Sequence, residues 1–288
     1  MVKTALVKTE IVPQSFDYQG SRLVYEEHGE GDHVLVYLHG LLMDSGMNRA
    51  LAQELAARGH RVVLLDLLGH GRSDKPLRAS YYRMDAYARE VVALLDHLGV
   101  DRAVIGGVSL GADVSLFVAT EAPERVQALI IEMPVLEWAV PAAALLFTPL
   151  LLLMHYASGP MGFLTRQVAR MPRSSNSTLN SLLDTASSSP EIIKAILHGI
   201  LTGPVAPTVE ERAAIAAPTM VIAHTRDVIH PFSDAEALVE LVPGAQLEPA
   251  NSMLELRIRP ERLTEQIARF VDQAWAAKPR RARRAKPA

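Results

Sequence analysis

The sequence predicts an α/β domain, a mainly parallel sheet covered by helices, with one helical segment inserted into it. Three observations carry this reading. Short apolar runs alternate with longer segments of helical period along most of the chain. At 288 residues the chain is long enough for one such domain with an insertion. Between Pro134 and about Ile215 the alternation fails, giving way first to an apolar helical stretch and then to Ser-rich segments (SSNST, ASSSP).

The expected strands are Arg22–His28, Val34–His39, Arg61–Asp66, Arg102–Gly106, Val126–Glu132, Thr219–His224 and Gln246–Glu248, each a short β-branched or Leu-rich run. The expected helices are Asn48–Arg58, Met84–Leu98, Gly111–Ala122, Ser233–Leu241 and Glu261–Lys278. The domain therefore divides into a core of residues 1–133 and 216–277, a helical lid of residues 134–215, and a basic, solvated tail of residues 278–288. In open α/β sheets ligands bind beyond the C-terminal strand ends, which is where the insertion would sit.

Composition narrows the function classes. The tail holds six Lys or Arg and no acid, so the remainder of a chain of net charge −3 carries −9. An acidic body argues against nucleic acid as the main partner. Without cysteine there is no disulfide, thiolate metal site or cysteine nucleophile, which suits a cytoplasmic location. Trp138–Ala157 carries no formal charge and is about the length of a spanning helix. Pro141 and Pro149 interrupt it, so it reads as a buried or lid helix pair, with interfacial membrane contact second and a true span last.

The strongest local signal is Gly107-Val108-Ser109-Leu110-Gly111, set between an apolar strand and a helix. A serine there sits on a sharp strand-to-helix turn, raised into the crevice, with flanking glycines where side chains would collide with neighbouring elements. The helix N-terminus beneath favours developing negative charge.

On these residues the chain resembles the α/β-hydrolase superfamily, on both sides of the insertion. His39-Gly40-Leu41-Leu42 after an apolar strand is similar to its oxyanion segment, and Asp66 through Pro76 to its D-x-x-G-x-G-x-S-x-x-P loop. His224 through Pro231 resembles its acid loop, and Pro260-Glu261 leading to Phe270 its final helix. The resemblance implies an α/β-hydrolase fold whose helical cap follows the strand after the elbow helix. It implies Ser109 as nucleophile, Asp227 as supporting acid, and the backbone N–H groups of Leu41 and Leu110, with Gly40 beside them, as the oxyanion site. His39 and His70 are read as loop-shaping residues. No cofactor and no metal are expected.

One departure matters. The family carries its base histidine shortly before the final helix, and here that segment reads Asn251-Ser252-Met253-Leu254-Glu255-Leu256-Arg257, with no histidine after His230. His230, three residues beyond Asp227, is first a turn residue before Pro231 and second a candidate base. His155 and His198 are ordinary lid residues that could also overhang Ser109. Glu132 is a strand-end carboxylate first and a site acid second, while Glu255 and Arg257 could fill the vacated space as an ion pair. The expected function is a serine hydrolase acting on a carboxylic ester or other acyl substrate with an apolar moiety. The alternatives are a non-catalytic binder of apolar small molecules on the same fold, or a lyase or oxygenase.

Overall fold

A computed structural model describes residues 12–227 and 229–276. The basic tail and the end of the last expected helix lie outside the described residues. The strands are β1 (Gln14–Tyr18), β2 (Ser21–His28), β3 (Val34–Leu38), β4 (Arg61–Asp66), β5 (Ala103–Val108), β6 (Val126–Glu132), β7 (Thr219–Ala223) and β8 (Gln246–Pro249). They form one eight-stranded sheet in the order β1-β2-β4-β3-β5-β6-β7-β8. Pairings from β4 to β8 are parallel, and β2 pairs antiparallel with both β1 and β4. The seven expected strands are present within two residues at either end. β1 is the strand that sequence reading missed. It buries only Phe16 and is joined to β2 by a two-residue turn with Gln19 and Gly20 both at positive φ. A turn of that hand matches strand twist and closes a hairpin, so Gln-Gly was the available signal.

The helices are α1 (Arg49–Ala56), α2 (Met84–His97), α3 (Leu110–Glu121), α4 (Val140–Tyr156), α5 (Ser158–Ala169), α6 (Ser177–Ala186), α7 (Pro190–Thr202), α8 (Val209–Ala213), α9 (Phe232–Leu241), α10 (Glu255–Ile258) and α11 (Glu261–Ala276). Alternation along each strand decides which layer covers which face. Leu35, Tyr37, Val62, Leu64, Ile130 and Ile222 turn towards α1 and α11, meeting Leu51, Leu55, Ile267 and Phe270. Val36, Leu38, Val63, Leu65, Ile131 and Val221 turn the other way, towards α2, α3 and α9. Both faces are thus buried, which is why the strands read as continuous apolar runs.

Helices α4 to α8 all fall between β6 and β7. The start of this insertion is tied down by Asp234 of α9, whose carboxylate accepts the N–H groups of Leu136, Trp138 and Ala139 at 2.9–3.0 Å. Inside it, Phe147, Leu150, Leu151 and Met154 of α4 pack with Ile193 and Leu197 of α7 and reach Leu41 and Leu42 after β3. The expected helix pair within Trp138–Ala157 is instead one helix. Pro141 occupies its first turn, where a missing N–H costs nothing, and Pro149 lies inside it on the solvent side. The carbonyl freed by Pro149 therefore faces water rather than protein, so the helix runs on. Nor is the helix buried: Met154 is its one buried residue.

Glu90 of α2 is wholly buried and accepts the Leu68 N–H at 3.0 Å. Burial pushes its carboxyl up to about 8, so it holds a proton at neutral pH. The unfolded chain would lose that proton near pH ~4.3. A folded value above the unfolded one gives stability that is full at low pH and is lost as pH rises towards 8. Glu90→Gln is therefore expected to gain on the unaltered chain between pH 5 and pH 8, by an amount on the order of 3 kcal/mol. Urea unfolding at the two pH values measures this, and a difference independent of pH would contradict the assignment.

Candidate active site

The chain leaves β3 towards one side of the sheet and β5 towards the other, so a crevice opens between their C-terminal ends. Two loops meet there. Ser109 follows β5 at φ 53° and ψ −114°, a strained conformation for a residue with a side chain. Packing leaves it no alternative. A Cβ on Gly107 would stand 2.7 Å from the carbonyl carbon of Gly111, and one on Gly111 would stand 2.7 Å from the Leu38 side chain. With both positions bare, α3 closes onto β3 and β5. The Ser109 N–H completes the pairing to β6 by donating to the Glu132 carbonyl at 2.9 Å, while its carbonyl accepts from Asp113 N at 3.1 Å. With its backbone fixed at both ends, the Ser109 hydroxyl projects into the crevice.

The loop after β3 faces it. A Cβ on Gly40 would lie 3.9 Å from the Ser109 Cβ, an ordinary van der Waals separation, so the loop passes directly beside the serine. His39 sets the loop's shape. Its Nε2 accepts the Leu67 N–H at 3.1 Å, which leaves Nδ1 protonated to donate to the Gly40 carbonyl at 2.9 Å. Burial holds the His39 imidazole below its usual value, as it does more strongly for His70. Both are thus neutral loop-packing residues. Among the described residues the N–H groups of Leu41 and Leu110 have no protein acceptor. Leu110 is the first residue of α3, whose N-terminal end carries partial positive charge.

The loop after β7 supplies the rest. Asp227 Oδ1 accepts the backbone N–H groups of Ile229 and His230 at 2.8 and 3.0 Å, which holds those two residues against it. His230 Nδ1 lies 2.9 Å from Asp227 Oδ2 and His230 Nε2 2.9 Å from Ser109 Oγ. Burial raises the Asp227 carboxyl, but hydrogen bonds from the His230 ring and backbone, the facing charge of His230, and the Ile229 N–H outweigh it and hold Asp227 below the ordinary aspartate range. The aspartate is thus ionised, oriented, and nearly sealed from solvent, with its side chain 1% exposed. The His230 backbone lies in a bend before Pro231, and its ring reaches Ser109.

The other candidates lie elsewhere. His155 and His198 are exposed. Residues 251–254, where the family's base would fall, are exposed too. The expected Glu255–Arg257 ion pair does not form. Glu255 pairs with Arg262, and Arg257 turns inward to pair with Glu132 and donate to Asn48 Oδ1 at 2.9 Å. Both residues are buried, but two positions apart on α10 their side chains point to different partners. Glu132 also accepts the Tyr37 hydroxyl at 2.6 Å. Its carboxylate is therefore consumed in a buried network directly behind the elbow, and it is not a site acid.

A cavity of about 560 Å³ opens between the loops after β3 and β4 and helix α6, lined by Arg49, Arg72, Lys75, Asn180, Ser181 and Asp184 among others. Neither Ser109 nor His230 lines it.

Residues 33–248 match the family model for the alpha/beta hydrolase fold. The chain belongs to the α/β-hydrolase fold family. Within it, the acetyltransferase component of an acetoin cleaving system from Pseudomonas putida is 43% identical over 113 residues, 38% of this chain and 30% of that protein. The match thus spans under a third of that relative's length. Lipase 3 of a Moraxella species is 28% identical over 254 residues, covering 81% of this chain and 75% of the lipase. The solved structure of an N-acyl homoserine lactone degrading enzyme superposes with a TM-score of 0.68 at 26% identity, covering 89% of this chain and all of the other.

The Arg257–Glu132 pair is buried at both ends, with side chains 2% and 4% exposed. Removing the cation alone leaves a carboxylate without compensation beneath the elbow. Arg257→Met is expected to cost about 3–5 kcal/mol of unfolding free energy, with most of the loss recovered in Arg257→Met/Glu132→Gln. Chemical denaturation of the two variants measures this. A double variant no more stable than the single one would show that the pair is not the cause.

Proposed function

We propose that this chain is a serine hydrolase cleaving a carboxylic ester or related acyl compound with an apolar moiety. The observation that carries this reading is the continuous hydrogen-bonded line from Ser109 Oγ through His230 to Asp227, built at a strand-to-helix elbow. A serine hydroxyl is a weak nucleophile until a base takes its proton. His230 Nε2 is placed to receive it as Oγ attacks the acyl carbon. Asp227 holds the Nδ1–H tautomer and stabilises the imidazolium that forms. The oxyanion would be received by the N–H groups of Leu41 and Leu110, a contribution of roughly 3–4 kcal/mol per donor in a comparable enzyme. The imidazolium then protonates the leaving alcohol. The same ring next activates water, which releases the acid and restores Ser109.

The apolar moiety is inferred from the cluster that joins Leu41 and Leu42 to α4 and α7. On this reading residues 134–215 form a lid over the core of residues 1–133 and 216–277. The binder alternative rested on the absence of a base, and a histidine hydrogen-bonded to Ser109 removes that motive. The lipase and lactone-degrading relatives, both named for acyl chemistry, support the same class.

Turnover of a short-chain p-nitrophenyl ester, with fluorophosphonate labelling beside it, tests the reading. Ser109→Ala and His230→Ala are each expected to lower kcat by roughly 10⁴–10⁶-fold, and Asp227→Asn by about 10⁴-fold. Labelling should vanish in Ser109→Ala, while His155→Ala and His198→Ala should leave turnover within about twofold. Turnover that survives Ser109→Ala, or that depends on His155 or His198 instead of His230, would overturn it.

A further inference from the structure

A surface helix of a water-soluble fold turns polar residues outward, and α4 does not. Its inner face packs on α7 through Phe147, Leu150, Leu151 and Met154. Residues 145, 152 and 156 lie on the opposite face by helical period, and they are Leu, Leu and Tyr. Leu145 is 79% exposed, Leu152 48% and Tyr156 80%. Helix α5 follows after one residue, bent by 102°, and continues the open face with Phe163, 61% exposed. Among the described residues no single helix is long and apolar enough to cross a membrane. The two bent helices instead offer a broad apolar surface to whatever lies outside.

Charge indicates what that is. From Trp138 to Leu183 the chain carries Arg166, Arg170 and Arg173 and no acidic residue, within a protein of net charge −3. Arg166 and Arg170 fall three and seven residues after Phe163, on its side of α5, and both are exposed. Arg173 pairs with Asp184, whereas Arg166 and Arg170 are in no ion pair among the described residues. A second copy or an apolar protein partner would need no such cations. Leucines bordered by Tyr, Phe and unpaired Arg match the layered polarity of a phospholipid surface, where aromatic rings sit at headgroup level and arginines meet phosphate.

We propose that the outer face of α4 and α5 seats the protein on anionic phospholipid, with Leu145, Leu152, Tyr156 and Phe163 entering the interface and Arg166 and Arg170 engaging phosphates. This does not depend on the proposed hydrolysis. Because α4 also packs against the loop beside Ser109, a seated face would bring that crevice next to the lipid.

Cosedimentation with vesicles of ether-linked phosphatidylglycerol and phosphatidylcholine tests it, since those lipids contain no ester for Ser109 to cleave. Leu145→Glu/Leu152→Glu is expected to lower partitioning by at least about tenfold without changing the melting temperature, both side chains being exposed. Arg166→Gln/Arg170→Gln is expected to lower it by roughly tenfold or more on vesicles containing phosphatidylglycerol, and little on phosphatidylcholine alone. A variant with the six cations of residues 278–288 replaced by serine separates the tail's attraction. Equal partitioning of the parent and Leu145→Glu/Leu152→Glu would overturn the proposal, as would binding lost only in the tail variant. So would a dimer, seen by sedimentation velocity and abolished by the Glu variant, in a protein that ignores vesicles.

Discussion

The close approach of α3 to β3 and β5 is the constraint on which the rest of the site depends. Side chains at positions 107 and 111 would each fall within 2.7 Å of neighbouring atoms, so the elbow exists only because both are glycine. That contact forces Ser109 into positive φ, a conformation costing on the order of 1–3 kcal/mol and tolerated because the surrounding packing over-determines it. The strain has a chemical consequence. It points one hydroxyl out of the sheet at the level where the loops after β3 and β7 converge. Nothing in the fold would otherwise bring the loop with Gly40 beside Ser109 and the His230 ring to its hydroxyl.

The second feature is economy in the loop after β7. The family resemblance leads one to look for an acid and a histidine on two loops, and here Asp227 and His230 lie on the same loop and are hydrogen-bonded to each other. One carboxylate makes three hydrogen bonds: Oδ1 accepts two backbone N–H groups, and Oδ2 holds the imidazole of His230. Side-chain position and backbone conformation are therefore coupled, because a change in either moves the ring. The segment before the last helix holds no histidine and has a structural part instead. Arg257 enters the core behind the elbow and neutralises Glu132, whose own backbone carbonyl anchors Ser109.

The insertion joins two environments. Its root is held by the Asp234 carboxylate, and its inner face extends the apolar surface of Leu41 and Leu42. Its outer face remains apolar where water would select for polar residues. Apolar residues on both sides of α4 make its sequence look like a buried segment, although only one side is covered.

Read alone, the sequence determined the parallel strands, their covering helices, the place of the insertion and the elbow. These depend on patterns of period two and 3.6 and on glycines flanking one serine, all of which are local. It also put Asp227 in the acid loop and left Leu41 and Leu110 as the oxyanion donors by resemblance. It named His230 as the candidate base and His155 and His198 as lid residues that could also overhang Ser109, but no local pattern measures which of the three reaches that hydroxyl. Tertiary structure brings the His230 ring there: the distance from an imidazole to Ser109 is fixed by where the ends of β5 and β7 lie across the intervening β6, 121 residues apart in the chain for the pair that meets. The same holds for Arg257, whose partner Glu132 lies 125 residues away. Which side of α4 is open was likewise decided by the packing of α7, since a helix that is apolar all round carries no record of which face its neighbours will cover.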